Sequence, residues 1–353
     1  MNLLEEKEYY IAYFDILGYK DFCAHASKEQ IRNMVSMIYD AISGIKNYLS
    51  KFNNFSFMSI IENIDIKFIG FSDNFTFAMQ VEEGKYEIYR LLAFLSIIAD
   101  IQRNFIVRYG LLVRGGVVKT TAFIGENIIQ GNGIIEAVDL EYKAIYPQII
   151  ISKSIFSEIH QLHFLTYEEL DYGGAVQNKI DKGIELTSDE QKFMVNVQSR
   201  YTEELIALTW KDNILMRSND ERPFLNYMYN LDIIRECIKS KVPFVIIQDW
   251  LQQFIPHISF QAPSKEYIES FIQAHRLVLM DKIKRYGTYV DIDINSTIEL
   301  YAREKIIAKY IWLWMYHNKI CELYELPEFQ VSIVCGIDPR VIKMIISFED
   351  NNS

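Results

Sequence analysis

The pattern of apolar and polar residues predicts alternating strands and helices over the first 155 residues. Residues 9–17 (YYIAYFDIL) are aromatic and β-branched, which is typical of a buried strand, and Gly18 ends that run. Ser27 and Gln30 have the spacing of a capping box, so a helix is predicted to begin there. Apolar residues then recur at helical spacing, at Ile31, Met34, Val35, Ile38, Ile42, Ile45 and Leu49.

A hairpin, a second long helix and another strand are predicted next. Residues 64–71 and 74–81 are two strand-like runs, and the Ser-Asp-Asn sequence at 72–74 suits the turn between them because Asp and Asn tolerate turn geometry. Residues 85–106 carry apolar side chains on one helical face, and residues 111–119 (LLVRGGVVK) form an apolar strand with a glycine pair. Such a pair allows a helix or another chain to approach closely.

A short helix over 134–144 and an apolar strand over 148–152 complete this half of the chain. The strand, helix, hairpin, helix and strand that precede them have a βαββαβ order, which predicts an α+β fold with a ferredoxin-like sheet and its helices on one face. We therefore predict a first domain over residues 1–165.

The second half of the chain has a different pattern. Residues 166–200 are polar and mixed, and we interpret them as a connecting region. Residues 201–353 predict a mostly helical accessory region, with helices over 225–240, 243–255, 264–284 and 296–320. The aromatic group Trp312, Trp314, Tyr316 and His317 in the last helix is more typical of a core than of a ligand pocket.

Composition narrows the class of protein. Half of the 353 residues are apolar and 24% are charged, which is globular composition, and the net charge of −11 argues against a general nucleic-acid-binding surface. The four cysteines form no CxxC pair, so neither a zinc site nor a disulfide framework is expected. The N-terminus lacks the order of a signal peptide and no apolar run reaches membrane-spanning length. We expect a cytoplasmic protein without nucleic-acid or membrane partners.

Two aspartates are the main candidates for chemistry. Asp15 lies at the end of the first strand and Asp73 in the hairpin turn, so both carboxylates are predicted to meet at one rim of the sheet. Two carboxylates there suit a divalent metal ion, and such an ion in turn suggests phosphate chemistry. The alternative is that Asp15 caps a turn and Asp73 is an ordinary hairpin residue. Burial of Asp15 among apolar neighbours without a partner would be costly, which favours the metal.

Four segments in this order carry a family resemblance. They are 14–19 (FDILGY), 71–73 (FSD), 114–116 (RGG) and the pattern Gly-x4-Glu-Ala-x2-Leu-Glu over 131–141. The chain resembles the class III nucleotidyl cyclase domain, whose first strand reads F-x-D-I-x-G-F and whose hairpin holds a second Asp. Among its branches it looks most like the bacterial pyrimidine cyclases of Pycsar antiphage systems. The resemblance covers about residues 9–155, the ferredoxin-like cyclase or palm core.

The resemblance implies an activity, a cofactor and an assembly. Asp15 and Asp73 would bind two divalent ions, Mn²⁺ or Mg²⁺, with the backbone carbonyl of Ile16 as a further ligand. The ions would bridge the triphosphate of a nucleoside triphosphate, and the reaction would give a 3′,5′-cyclic nucleotide and pyrophosphate. A homodimer with the site at its interface is also implied, as is a role in antiphage signalling.

The residues implied to contact the nucleotide are Phe14, Leu17, Gly18, Tyr19, Lys67 and Arg114. Two positions depart from the purine cyclases of the family, because Ile135 and Asp139 stand where those enzymes have a transition-state Asn and Arg. The hairpin motif also reads Ser-Asp instead of Gly-Asp. These departures fit either a different base preference or a degenerate site that senses nucleotides. A related palm-fold polymerase that makes short oligonucleotides is a third alternative.

Structural roles remain open for the other charged residues. Arg114 either contacts phosphate or forms an ion pair with Asp15, Asp73 or Glu136. Lys67 and Lys119 are either triphosphate contacts or solvated charges at strand edges. The acidic residues of the short helix, Glu136, Asp139 and Glu141, are predicted to form a polar face. His160 with His163, and Cys23 with His25, lack the further ligands or groups that a metal site or a nucleophile needs.

Overall fold

The structure is a computed structural model, and it describes residues 5–49, 64–82, 84, 87–125, 128–160, 167–194, 214–217, 222–228, 265–286 and 297–332. The first strand, β1, is Glu6–Leu17, and two helices follow it, α1 (Tyr19–His25) and α2 (Lys28–Leu49). The predicted capping box is confirmed at the start of α2. The Ser27 N–H donates to Gln30 Oε1 at 2.8 Å, and the Gln30 N–H donates to Ser27 Oγ at 3.1 Å.

The hairpin and the next helix also lie where the pattern predicts them. Strands β2 (Ile66–Phe71) and β3 (Asn74–Gln80) are antiparallel and joined by a tight turn, in which Ser72 has a left-handed φ of 61°. Helix α3 is Glu87–Tyr109 and strand β4 is Leu112–Ile124, five residues longer than predicted at its C-terminal end. The four strands have the order β2-β3-β1-β4 and are all antiparallel, which confirms the ferredoxin-like sheet.

The shorter elements that follow extend this sheet. Strand β5 (Ile129–Gln130) pairs with the end of β4, helix α4 is Asn132–Lys143, and strand β6 (Ile149–Ile151) runs parallel to β4. Helix α5 (Lys153–His160) comes directly after β6.

The two helices of the βαββαβ core, α2 and α3, share one face of the sheet as predicted, and the additional helix α4 lies on the other face. The main core, which includes Phe14 and Ile16 of β1, contains the buried residues of α2 and α3. Helix α4 lies on the opposite face, where its Ala137 packs with Tyr9 and Ile11. The glycine pair of β4 permits this contact, since a Cβ on Gly116 would lie 2.3 Å from the Leu140 Cβ.

The second half of the chain contributes strands as well as helices. Within the residues that the structure describes, helix α6 (Tyr167–Asp181) lies in the predicted connecting region. Strands β7 (Leu215–Arg217) and β8 (Pro223–Leu225) add to the sheet beside β6, so the mostly helical region predicted over residues 201–353 also contains two short strands. Strand β8 ends at Leu225, the first residue of the helix predicted over 225–240, and residues 226–228 are not helical. The rest of that helix and the one predicted over 243–255 lie outside the described residues. The domain limits stay a prediction.

Two long helices confirm the helices that the sequence pattern predicts over 264–284 and 296–320. Helix α7 is Lys265–Tyr286 and helix α8 is Thr297–Leu323, and a short 3₁₀ turn follows at Pro327–Phe329. The predicted core role of the aromatic group is also confirmed, because Tyr316 and His317 are buried and Trp312 packs against the same core. No helix in these described parts of the chain is long and apolar enough to cross a membrane.

A buried chain of hydrogen bonds joins α7 and α8. His317 Nε2 lies 3.1 Å from the Phe329 carbonyl oxygen, which only accepts, so this nitrogen carries the proton. His317 Nδ1 therefore accepts from His275 Nδ1 at 3.0 Å, and His275 Nε2 accepts from the Tyr227 hydroxyl at 3.0 Å. With both imidazoles neutral, each ring nitrogen in this chain has one hydrogen-bond partner.

We predict that the protein loses stability as the pH falls below about 6.5. Burial holds the pKa of His275 well below its usual value and also lowers the pKa of His317. Below pH 6.5 the unfolded chain binds protons that the folded chain does not, so the free energy of unfolding falls by up to about 1.4 kcal/mol per pH unit for each histidine. Urea denaturation between pH 7.5 and 5 measures this slope.

The control for this prediction compares how steeply the free energy of unfolding changes with pH, and not the absolute stabilities of the variants. The double variant His275→Gln, His317→Gln is expected to have a flatter pH profile, whereas His25→Gln, at an exposed position, keeps the slope of the parent protein. Equal slopes in the parent and the double variant would contradict the prediction.

Candidate functional site

Asp15 lies at the end of β1 on the face of the sheet that α4 covers. It is four residues from Ile11, and side chains an even number of residues apart point to the same face of a strand. The β1–β4 register places it directly opposite Arg114. The Arg114 Nε and Nη2 atoms both lie 3.3 Å from Asp15 Oδ2. Asp15 therefore has a cationic partner within the chain.

The hairpin turn brings Asp73 beside Asp15. The Ile16 N–H donates to the Asp73 carbonyl oxygen at 2.9 Å, which fixes the turn against the end of β1. The Asn74 amide donates to Asp73 Oδ1 at 3.1 Å, and the Tyr13 hydroxyl donates in turn to the Asn74 side-chain oxygen. This sequence of hydrogen bonds orients the Asp73 carboxylate.

The two carboxylates influence each other directly. Burial raises the pKa of Asp15, the charge of Arg114 opposes that rise, and Asp73 adds to it through its charge and a side-chain hydrogen bond. A neighbouring carboxylate of this kind disfavours the ionised form of Asp15. A cation placed between them relieves this repulsion, which is the electrostatic property that a divalent-ion site requires.

Arg114 forms an ion pair with a residue that the sequence did not suggest. Its Nε lies 2.6 Å from Glu141 Oε1, so the guanidinium is shared between Glu141 and Asp15. The prediction that Glu141 belongs to a polar helix face is wrong, because only 4% of the residue is exposed. Burial raises the pKa of Glu141, and Arg114 opposes the rise. Of the alternatives for Arg114, the structure favours the ion pair.

The residues at this rim fit a divalent ion with a small protein donor set. Asp15 and Asp73 supply carboxylate oxygens. The Ile16 N–H and C=O point to the same side of the strand, so the hydrogen bond to Asp73 also directs the Ile16 carbonyl toward the rim. No group of three or more His, Cys, Asp or Glu residues suited to a metal ion occurs in the part of the chain that the structure describes. Two carboxylates and a carbonyl leave coordination positions for phosphate oxygens and water.

The predicted nucleotide contacts divide into two groups. The Phe14 ring is fully buried on the other face, where it stacks with Phe77 at 5.3 Å, so only its backbone is available at the rim. Leu17 and Tyr19 are half-buried and Gly18 is exposed, all beside Asp15 in the chain. Gly18 has a left-handed φ of 82°, which turns the chain directly into α1.

The two lysines lie farther from the carboxylates. The strand register places Lys67 level with Ile11, on the Asp15 face but about 13 Å along it, and Lys67 pairs with Asp65 at 2.9 Å. Lys119 pairs with Glu158 at 3.0 Å and is mostly buried, so it is not the solvated charge that was one of its two alternatives.

The two residues of α4 that differ from the purine cyclases point toward solvent. Ile135 and Asp139 are exposed on its outer surface, and the nearby Glu136 accepts a hydrogen bond from the Thr120 hydroxyl. Neither residue reaches Asp15 of the same chain in any contact that the structure describes. Any function of this surface therefore requires contact with a second molecule.

Four residues at or near the site were missed by sequence reasoning. Tyr13 and Asn74 orient Asp73, Glu141 holds Arg114, and Lys309 of α8 lies within electrostatic reach of Asp15 and Arg114. A signal was present only for Glu141, because the spacing Gly133, Ala137, Glu141 puts it on the buried face of α4. Lys309 comes from a distant helix whose packing the sequence does not reveal.

The sequence matches no protein-family model and no curated protein sequence. Among solved structures, the chain is similar to the adenylyl cyclase CyaB from P. aeruginosa, with 16% identity and a TM-score of 0.33 over 45% of this chain and 84% of that one. It is also similar to the guanylyl cyclase Cya2, with 10% identity and a TM-score of 0.30 over 44% of this chain and 79% of that one. A bacterial light-regulated adenylyl cyclase matches with 12% identity and a TM-score of 0.30 over 46% of this chain and 47% of that one. Likeness at this level carries no argument about activity.

Proposed function

We propose that this protein is a metal-dependent nucleotidyl cyclase that converts a nucleoside triphosphate into its 3′,5′-cyclic monophosphate and pyrophosphate. The observation that carries the proposal is that Asp15 and Asp73 lie beside each other. The Ile16 N–H, which donates to the Asp73 carbonyl oxygen at 2.9 Å, holds the hairpin turn against the end of β1. The resemblance of the surrounding motifs to class III cyclases supplies the reaction. Asp15, Asp73 and the Ile16 carbonyl would hold two Mn²⁺ or Mg²⁺ ions.

The chemistry is an in-line displacement at the α-phosphorus. The ribose 3′-oxygen loses its proton to solvent and forms a bond to that phosphorus, while the bond to the bridging oxygen breaks and pyrophosphate leaves. Bound divalent ions supply the charge that stabilises the 3′-alkoxide and the leaving group. The chain itself positions the ligands, since Arg114 fixes Asp15, and Tyr13 with Asn74 fixes Asp73. The backbone groups of Leu17, Gly18 and Tyr19 are the proposed phosphate contacts, as the family resemblance implies.

A pyrimidine nucleotide, UTP or CTP, is the proposed substrate. The proposal rests on the resemblance to the pyrimidine cyclases of antiphage systems, and the cyclic product would act as a second messenger in such a defence. The departures at Ile135 and Asp139 support a site unlike that of the purine cyclases. Lys67, on the same face of the sheet as Asp15, is the proposed base contact.

A homodimer is proposed on the same grounds. Large apolar side chains are exposed along the outer surface of α4 and the chain that follows it, where Ile135 is 58%, Tyr142 72% and Ile145 60% exposed. A group of this kind on one surface is typical of an interface. The rim of one chain would then face the α4 surface of its partner.

The second candidate function is a cyclase-like sensor that binds nucleotides without turning them over. The observation that favours it is the neutralisation of Arg114 by Asp15 and Glu141, which leaves its charge committed inside the protein. In this case the protein would still bind a nucleoside triphosphate with a metal ion.

Calorimetric titration combined with a pyrophosphate assay separates the two functions. The protein with Mn²⁺ is titrated with ATP, GTP, CTP and UTP in turn, and pyrophosphate release is followed in parallel. We expect binding and pyrophosphate release with a pyrimidine nucleotide, and a loss of release in the Asp73→Asn variant because one metal ligand is removed. Tight binding of a nucleotide without any pyrophosphate release would contradict the enzyme and favour the sensor.

A further inference from the structure

Helix α8 of the accessory region packs close to the candidate site. Its Trp312 stacks on Tyr146 with ring centroids 6.1 Å apart and an interplanar angle of 8°. The same indole contacts Phe224 of β8 edge-on at 5.5 Å. Tyr146 follows α4 by only three residues, so this stacking fixes α8 beside the end of α4 that carries Glu141.

A second contact holds this arrangement together. The Arg222 guanidinium, next to β8 in the chain, donates to the Lys143 carbonyl oxygen at the last residue of α4. The C-terminal end of α4 is therefore tied to the second half of the chain by one hydrogen bond and by the Tyr146–Trp312 stack.

Lys309 lies on the same side of α8 as Trp312, which contacts the end of α4 through Tyr146. It is three residues before Trp312, and residues at that spacing share one side of a helix. Burial lowers the pKa of Lys309, the charge of Arg114 lowers it further, and the charge of Asp15 opposes both. The ammonium group is half-buried and forms no ion pair with any residue that the structure describes.

The charged residues around the rim leave the Lys309 ammonium group available to bind phosphate. Asp15, Asp73 and Glu141 carry carboxylates, and Arg114 is already shared by two of them. Helix α4 offers no cation at Ile135 or Asp139. A bound triphosphate would add several negative charges to this region, and an ammonium on a flexible stem suits phosphate oxygens.

We propose that Lys309 binds the triphosphate of the substrate, so that the accessory region completes the nucleotide site within its own chain. The Nζ atom would donate hydrogen bonds to β- or γ-phosphate oxygens beside Asp15. The inference rests on the proposed function for the identity of the ligand. It also gives the second half of the chain a direct part in substrate binding.

A purely structural role for Lys309 predicts different results. In that case its charge only balances the carboxylates of the rim, and its removal changes the stability of the protein without selective loss of phosphate affinity. The test must therefore separate stability from binding. Inorganic triphosphate with Mn²⁺ is the appropriate probe, because it carries the charges without a base or a ribose.

The experiment compares Lys309→Met, Lys309→Arg and Lys305→Met by calorimetric titration with inorganic triphosphate and Mn²⁺. Lys305 is the matched control, an exposed lysine one turn earlier on α8. We expect affinity to fall about tenfold or more in Lys309→Met, in line with the loss of a charge-assisted hydrogen bond, and to return largely in Lys309→Arg. Lys305→Met is expected to bind like the parent protein.

Turnover gives an independent readout. Lys309→Met is expected to raise KM for the nucleotide by a similar factor, with a smaller change in kcat. Unchanged affinity in Lys309→Met, or an equal loss in Lys305→Met, overturns the inference. Should Lys309→Met unfold, Lys309→Gln takes its place, and unchanged affinity in this variant counts equally against the inference. Triphosphate binding that depends on Lys309 without cyclic product would refute the proposed function alone.

Discussion

Gly116→Ala is expected to lower the free energy of unfolding by about 3 kcal/mol, because the added methyl group has no room between β4 and α4. The new Cβ would lie 2.3 Å from the Leu140 Cβ and 2.8 Å from the Ala137 carbonyl oxygen. Backbone atoms of a packed helix cannot move aside at low cost, so α4 must shift as a unit. That shift also separates Glu141 from Arg114.

Chemical denaturation with matched glycine variants measures this effect. Gly173→Ala is the control, because its nearest neighbour is a side-chain atom of Phe193 at 3.8 Å and the residue lies inside helix α6. Alanine is favoured over glycine there by up to about 1 kcal/mol, so this variant is expected to be as stable as the parent protein or more so. A Gly116→Ala variant within about 0.5 kcal/mol of the parent protein would contradict the close packing of α4 on β4.

Asp15→Asn is expected to reduce turnover about a thousandfold with little change in stability. The substitution keeps the shape of the side chain but removes the charge that a divalent ion requires. Metal ions contribute several kcal/mol to the transition states of such reactions, and about 4 kcal/mol corresponds to a factor of a thousand. Arg114 keeps its contact with Glu141 at 2.6 Å, so no charge is left unpaired.

The control for this substitution makes the same chemical change at an exposed position. Asp189→Asn is expected to retain full activity, because Asp189 is exposed and outside the rim. Thermal melts of both variants show whether the fold is intact. An Asp15→Asn protein with more than a tenth of the parent activity would exclude Asp15 as a ligand of an essential ion.

Local signals in the sequence were sufficient for the first half of the fold. The aromatic and β-branched run of β1, the capping box at Ser27 and Gln30, and the turn before Asn74 each depend on neighbours within a few residues. The order of these elements then limits the sheet to few arrangements, and the ferredoxin-like order is the one observed. The adjacency of Asp15 and Asp73 follows from that order.

The remaining features depend on contacts between distant segments. The position of α4 was not predicted, because the glycine pair at 115 and 116 indicated a close approach without identifying the helix that makes it. Strands β7 and β8 are three residues each, too short for a period of two to be recognised. The electrostatic influence of Asp15 on Lys309 depends on the packing of α8, where Trp312 stacks on Tyr146, a contact between residues 166 positions apart that no local pattern encodes.

The most direct test of the central claim is the identity of the product formed by the full-length protein. Mass spectrometry follows UTP and CTP incubated with the protein and Mn²⁺, beside reactions with EDTA and with Asp15→Asn. The proposed binding of catalytic ions by the two carboxylates predicts a 3′,5′-cyclic pyrimidine monophosphate and pyrophosphate in the first reaction and neither product in the other two. Equal yields of a cyclic product with EDTA or with Asp15→Asn would contradict the claim.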